Sequence, residues 1–258
     1  MKTTPAAVSL VCIASLVAAR NFTVTNNCAY TIWPALYTDL NVGTATPSQP
    51  TGWEQAAAAT VSFAVPDNWT SGRIWGRRNC DFTTNPGPNS CLDGGCNGGL
   101  LCDPKTGTGV PPATLAEFTL STSSGVDYYD VSLVDGFNIP ISITFTTASY
   151  CSIASCPVDL NANCPAALKG PLDSNGVAVG CKSDCTVDPN PSDSPSCCSG
   201  THATPATCPP SGVPNYNYFK QNCPNSYVYA YDESSGTALQ TCPSTTSADY
   251  TITFCPTA

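Results

Sequence analysis

Three stretches of the chain alternate apolar and polar residues with a period of two. Val61, Phe63 and Val65 are separated by Ser62 and Ala64, Ile141, Ile143 and Phe145 by Ser142 and Thr144, and Tyr250, Ile252 and Phe254 by Thr251 and Thr253. Successive side chains of a strand point to opposite faces, so each stretch predicts a half-buried β-strand. The helical period is scarce. With 24 prolines and 19 glycines the chain is interrupted too often for long helices, and short helical pieces are expected only at 165–169 and 215–221. Residues 227–231, with alternating tyrosines, read as a further strand that presents a sugar-binding surface and ends at Asp232. Strands with one apolar face bury it by stacking two sheets. The predicted class is therefore mainly β, an antiparallel sandwich.

Cysteine usage changes what holds such a sandwich together. Residues 1–19 read as a secretory leader: Lys2 is the positive start, 6–17 is an apolar run too short to span a bilayer, and Val17-Ala18-Ala19 places small residues before the expected cut. The chain has 17 cysteines. Cys12 leaves with the leader, and the even number that remains suits a disulfide framework. So many thiols beside a single histidine fit neither zinc sites nor redox centres, which places the protein in an oxidising, extracellular compartment and calls for no cofactor or metal. Residues 20–258 are long enough for one domain with a real core.

The cysteines also divide the chain. Residues 22–78 and 114–145 are almost free of them and carry the alternating patterns. Cys80, Cys91, Cys96 and Cys102 lie in a Gly-rich segment, and a second dense block runs from Cys151 to Cys208. Neither block has the apolar residues to fold by burial alone, so each bridge would have to supply about 2–4 kcal/mol. Cys197 and Cys198 are adjacent and must reach different partners. Spacing alone leaves the connectivity open.

Charge narrows the partners. Only 10% of residues are charged, against roughly a quarter in typical globular proteins, and 18 acids against nine bases give a net charge of −9. Nucleic acid and anionic membranes are poor partners for that surface. No second long apolar run follows the leader, so no membrane anchor is expected. No odd cysteine and no coiled-coil pattern point to anything but a monomer. The sequons Asn21-Phe22-Thr23 and Asn68-Trp69-Thr70 make Asn21 and Asn68 glycosylation acceptors in a secreted chain. Trp33, Trp53, Trp69 and Trp75 read as core or edge packing, His202 as a surface residue without a triad, and the Gly94-Gly95 and Gly98-Gly99 pairs as turns between bridges.

Several blocks in order carry a resemblance. Asn27-Cys28 with Thr31-Ile32-Trp33, Gly72-Arg73-Ile74-Trp75-Gly76-Arg77, Cys96 with Gly98-Gly99-Leu100-Leu101-Cys102, Thr114-Leu115-Ala116-Glu117-Phe118, the run from Asp127-Tyr128-Tyr129-Asp130 through Asp135-Gly136-Phe137-Asn138-Ile139-Pro140, and Phe254-Cys255-Pro256 resemble the thaumatin-like proteins, the pathogenesis-related group five. The resemblance implies eight bridges: Cys28 to Cys255, Cys80 to Cys91, Cys96 to Cys102, Cys151 to Cys242, Cys156 to Cys223, Cys164 to Cys181, Cys185 to Cys197, and Cys198 to Cys208. It implies a thaumatin-like sandwich (about 20–79, 103–150 and 243–258) flanked by a small disulfide loop region (80–102) and a larger disulfide-rich region (151–242). An acidic cleft should lie between the sandwich and the larger region.

By the same resemblance the cleft gathers Arg73, Glu117, Asp130, Asp135 and Asp232 to act on β-1,3-glucan or a related cell-wall polysaccharide. The residues agree with such a placement: Ala116, Phe118 and Leu120 form one face of a strand, so Glu117 points the other way. Asp130 and Asp135 are an odd number apart and cannot share a face of one strand, so the strand should end near Val134 with Asp135 on the turn after it. Glycoside hydrolysis needs one protonated carboxyl and one ionised carboxylate, and crowded carboxylates beside a guanidinium provide both forms. Glu117 is assigned as general acid, Asp135 as nucleophile or base, and Arg73, Asp130 and Asp232 as substrate-binding residues. Two function classes follow: a secreted endo-β-1,3-glucanase of modest activity, or a non-catalytic antifungal defence or stress protein using the cleft for glucan or protein binding. One loop departs from the family. Where the family commonly reads Cys-x-Thr-Gly-Asp-Cys, this chain has Cys91-Leu92-Asp93-Gly94-Gly95-Cys96, which moves the acid by two places.

Overall fold

A computed structural model describes residues 18–84, 86–148 and 150–257. Most of the expected leader, with Cys12, lies outside the described residues. Among these the chain forms β1 (Ala19–Asn26), β2 (Ala35–Thr38), β3 (Thr60–Pro66), β4 (Gly72–Trp75), β5 (Arg78–Cys80), β6 (Cys91–Asp93), β7 (Leu115–Thr119), β8 (Val126–Ser132), β9 (Ile141–Phe145), β10 (Ala154–Cys156), β11 (Gln240–Pro243), β12 (Tyr250–Phe254) and α1 (Tyr216–Asn222). The three alternating stretches are β3, β9 and β12. One sheet runs β10-β9-β12-β1-β3, the other β11-β8-β7-β4-β2, and β5-β6 is a separate ribbon. β10 and β11 come from the segment assigned to the larger loop region and add one edge strand to each sheet.

The apolar faces of the two sheets meet in one core. Phe22 of β1 sits against Phe63, Trp69, Phe118 and Tyr250 at ring-centroid distances of 5.0–6.4 Å. Each such fully buried side chain contributes roughly 1.5–3 kcal/mol over leaving it in water. Trp69 and Trp75 are fully buried, while Trp53 and Trp33 pack at edges against Phe63 and Phe82. Gly72 has no room for a side chain, because a Cβ there would stand 2.1 Å from the Trp69 ring.

The strict antiparallel expectation fails at one pair. β1 and β12 run parallel, from Phe22 opposite Tyr250 to Asn26 opposite Phe254. The reason is covalent: Cys28 and Cys255 follow the C-terminal ends of these two strands and are bridged with Cα atoms 5.0 Å apart, so both strands must leave the sheet at the same end. All eight bridges pair as the resemblance implied.

Two local expectations need correction. Residues 165–169 form a single turn, in which the amides of Leu168 and Lys169 both donate to the Pro165 carbonyl. Gly170 at φ +121° and Pro171 prevent another turn. Residues 227–231 are not a strand: Tyr227 makes an isolated parallel bridge to Ser132, and the chain then turns into a 3-10 helix at Asp232–Ser235. The expected helix at 215–221 is present as α1, with Asn215 at its N-cap position.

The small disulfide region is clamped to the second sheet by Arg77. Its fully buried guanidinium donates to the carbonyls of Trp33, Pro34, Gly99 and Leu100. Burial lowers its pKa to about 10, which still leaves it charged near neutrality. Trp75 Nε1 adds a 2.7 Å bond to the Gly94 carbonyl.

Candidate active site

The outer face of the second sheet is divided in two. Ala35, Trp75 and Leu115 are covered by Cys96 and Cys102 of the small region and form a minor core. One step further along each strand, on the same face, stand Tyr37, Arg73 and Glu117. The register aligns Tyr37 of β2 with Arg73 of β4, Arg73 with Glu117 of β7, and Glu117 with Asp130 of β8. Directly opposed residues on one face are in contact range, so four strands lay one polar row across the floor of a groove. The groove holds about 440 Å³ and is lined by Tyr37, Arg73, Glu117, Tyr128, Asp130 and Leu239 among others.

Arg73 organises the row. Its Nη2 lies 3.1 Å from Glu117 Oε1, and its Nη1 lies 3.7 Å from Asp135 Oδ2, with all three side chains largely buried. Asp135 is on the turn after β8, which ends at Ser132, two residues earlier than expected. Gly136 makes that turn possible: it adopts φ +87°, and a Cβ would meet the Cys181 carbonyl at 2.8 Å. The amide of Ala113 donates to the Asp135 carbonyl at 3.1 Å and fixes the turn against β7.

Four of the five expected residues thus converge; Asp232 does not. Its carboxylate is fully buried and accepts hydrogen bonds from the Tyr216 hydroxyl at 2.7 Å, from Lys220 Nζ at 2.9 Å and from the Val228 amide at 2.9 Å. Tyr216 and Lys220 are four residues apart on α1 and so share a face. Asp232 therefore anchors α1 to the 225–236 segment, and its substrate-binding assignment is corrected to an internal one. The next residue, Glu233, is exposed, and its charge contributes to the upward shift of Asp130. Glu233 is not legible when 227–231 is taken for a strand, because a 3-10 helix at Asp232–Ser235 is what turns it outward. The spacing of Tyr216 and Lys220 around one acid was the available signal.

The carboxyls are perturbed unequally. Burial pushes the Asp130 carboxyl well above its usual range, the Glu117 charge adds to the effect, Arg73 opposes it, and Glu233 adds again. Glu117 is also raised, by burial first, against the opposing pull of Arg73 and with a further push from Asp135; the Ser132 hydroxyl donates to it and favours its anion. Burial raises Asp135, and Arg73 pulls it back. Of the opposed pair, Glu117 touches the guanidinium, which favours its anion, while Asp130 is pushed up further than Glu117.

A family model for the thaumatin family matches residues 26–256. A pathogenesis-related thaumatin-like protein 3.5 of Cryptomeria japonica is 41% identical over 239 residues, covering 92% of this chain and 90% of that protein. Pathogenesis-related protein 5 of Arabidopsis thaliana is 42% identical over 248 residues, covering 93% and 92%. This chain belongs to the thaumatin family. Among solved structures, a GH family 64 laminaripentaose-producing β-1,3-glucanase from Paenibacillus barengoltzii, complexed with laminarihexaose, shares the fold at a TM-score of 0.50 and 11% identity, over 92% of this chain and 74% of that one. Among the described residues no helix is long and apolar enough to cross a membrane.

Proposed function

We propose that the protein is a secreted β-1,3-glucan-binding member of its family, in which recognition outweighs turnover. The observation that carries the reading is the Arg73–Glu117–Asp130 row on the groove floor. An ionised carboxylate accepts hydrogen bonds from sugar hydroxyls, an un-ionised one and a guanidinium donate them, and a surplus of acids repels anionic polymers. Tyr128, half-buried in the groove lining, offers a ring for a neutral pyranose. Eight bridges and the sequons fit an extracellular, glycosylated chain with cell-wall polysaccharide as its partner.

Weak hydrolysis would use Glu117 as general acid and Asp135 as nucleophile or base. One feature favours the non-catalytic reading, a defence or stress protein that only binds: both residues are held by the same guanidinium, at 3.1 and 3.7 Å. The test pairs pull-down on insoluble β-1,3-glucan with release of soluble oligosaccharides from it. Binding with slow release that disappears in Glu117→Gln supports the enzyme. Binding without release leaves the binder, and absence of both removes glucan from the account.

A further inference from the structure

We propose that the groove holds a second subsite, built by Asp39, Ser71, Thr119 and Tyr128. It takes the sugar unit next to the one over the Arg73–Glu117–Asp130 row, so that a neutral glucan chain lies along the strands and not across them. The ligand rests on the glucan reading; the placement of the four side chains does not.

The register makes the second row. Asp39, Ser71, Thr119 and Tyr128 stand two residues from Tyr37, Arg73, Glu117 and Asp130 respectively, which puts them on the same face about 6.6 Å further along the strands. Thr119 is directly opposite Tyr128. The Asp39 amide donates to the Ser71 carbonyl at 3.1 Å, and the Ser71 amide donates to Thr119 Oγ1 at 3.3 Å, so the row continues across β2, β4 and β7 at the ends of their ladders. All four residues line the same groove as the charged row. Along the strands the groove can lengthen only in this direction: on the other side of the charged row, Ala35, Trp75 and Leu115 are buried under the small disulfide region.

The row offers what a neutral sugar needs. Asp39 Oδ1 accepts from the amide and from Nδ2 of Asn41, which fixes the carboxylate and leaves Oδ2 to accept from a ligand hydroxyl. Thr119 Oγ1 already accepts from the Ser71 amide, so its own hydrogen remains to be donated. The Ser71 hydroxyl makes no hydrogen bond among the described residues and can both donate and accept. Tyr128 adds a ring beside them. With one anion and no cation, the row suits a neutral chain and repels a uronate. The backbone of Ser71 is the unusual part: it adopts φ +48°, a conformation that residues with a side chain rarely take and glycine takes without strain. Such strain clusters where side chains are held for ligands, and here it keeps a free hydroxyl at the groove.

The experiment is calorimetric titration of laminarihexaose into wild type, Ser71→Gly and Thr119→Val, with a thermal melt of each protein. Ser71→Gly removes the hydroxyl and relieves the backbone, so the melting temperature should hold while affinity falls at least about threefold. Thr119→Val keeps the shape of the side chain, removes its donor, and should weaken binding by a similar factor. In 13C-methyl NMR spectra of wild type, the Thr119 signal should move as laminarihexaose is added. Three results overturn the second subsite and leave the glucan reading standing: wild-type affinity in both variants, a Thr119 methyl signal that stays in place at saturation, or weaker binding that appears only with a lower melting temperature. Failure of wild type to bind laminarihexaose removes the glucan reading, and the subsite falls with it.

Discussion

Asp93, the acid displaced in the small disulfide region, should make the protein less stable as the pH rises from about 4 to about 7. The side chain is buried. Its Oδ1 accepts a 2.9 Å bond from Asn138 Nδ2, and its Oδ2 has no partner. The facing cation, Arg78, is engaged with the Tyr30 ring and the Val179 carbonyl. Burial therefore dominates and raises the Asp93 carboxyl from 3.8 to about 7, with Asn138 and Arg78 offsetting only part of it. A carboxyl whose folded pKa lies above its unfolded one takes up a proton on folding. Its stabilising effect is full below the unfolded value and is lost as the pH climbs to the folded one. At roughly 1.4 kcal/mol per pH unit, a shift of about three units amounts to about 4 kcal/mol across the window. The substitution Asp93→Asn removes the titration and keeps a carbonyl oxygen to accept from Asn138 Nδ2. Guanidinium unfolding followed by tryptophan fluorescence, with bridges intact, should show the Asp93→Asn variant gaining on wild type between pH 4 and pH 7 and holding a constant difference above it. A difference between the two proteins that stays flat from pH 4 to pH 8 refutes the reasoning.

Two further outcomes concern the scaffold. Cys28 and Cys255 are 227 residues apart and Cys96 and Cys102 only six; the chain-entropy relation gives about 5 kcal/mol for closing the first loop and about 2 kcal/mol for the second. Paired serine substitutions should therefore lower the denaturant midpoint much more at Cys28 and Cys255, and the reverse order would show that strain or unfolded-state structure governs both. Lys220→Met should cost about 3–5 kcal/mol by leaving the buried Asp232 charge without its cation. Adding Asp232→Asn should recover most of that in thermal melts; no recovery would mean that packing of the Lys220 stem, not charge, is what matters.

Local alternation was enough to find β3, β9 and β12, because a period of two along five to seven residues is decided by which face meets the core. The outward direction of Glu117 followed from Ala116 and Phe118 in the same way. The parallel pairing of β1 with β12 was not legible, since it depends on a bridge between residues near opposite ends of the chain. The bridges themselves came from resemblance, never from spacing. Asp232 and Glu233 show the sharper limit. Adjacent acids look interchangeable in sequence, and only the arrival of α1, with Tyr216 and Lys220 on one face, decides that Asp232 is enclosed while Glu233 is exposed. Residues 165–169 carry a helical start that a following Gly-Pro ends within one turn.

The same electrostatics bear on whether the groove cleaves what it holds. A general acid must carry its proton at the working pH and release it to the leaving oxygen. Glu117 is placed for this on the floor, but the Arg73 guanidinium at 3.1 Å favours its anion, and it is the opposed Asp130 that burial pushes well up. The nucleophile must be ionised and unencumbered, yet Asp135 shares the guanidinium with Glu117. Hydrolysis then requires a sugar to draw Arg73 away before either carboxyl can act. That step spends binding free energy on rearrangement and not on the transition state. A substrate that engages Arg73 through two hydroxyls at once would do it most readily. Activity should therefore rise more steeply with oligosaccharide length than affinity does, a comparison that kcat and Kd measured across a laminarin oligomer series would decide.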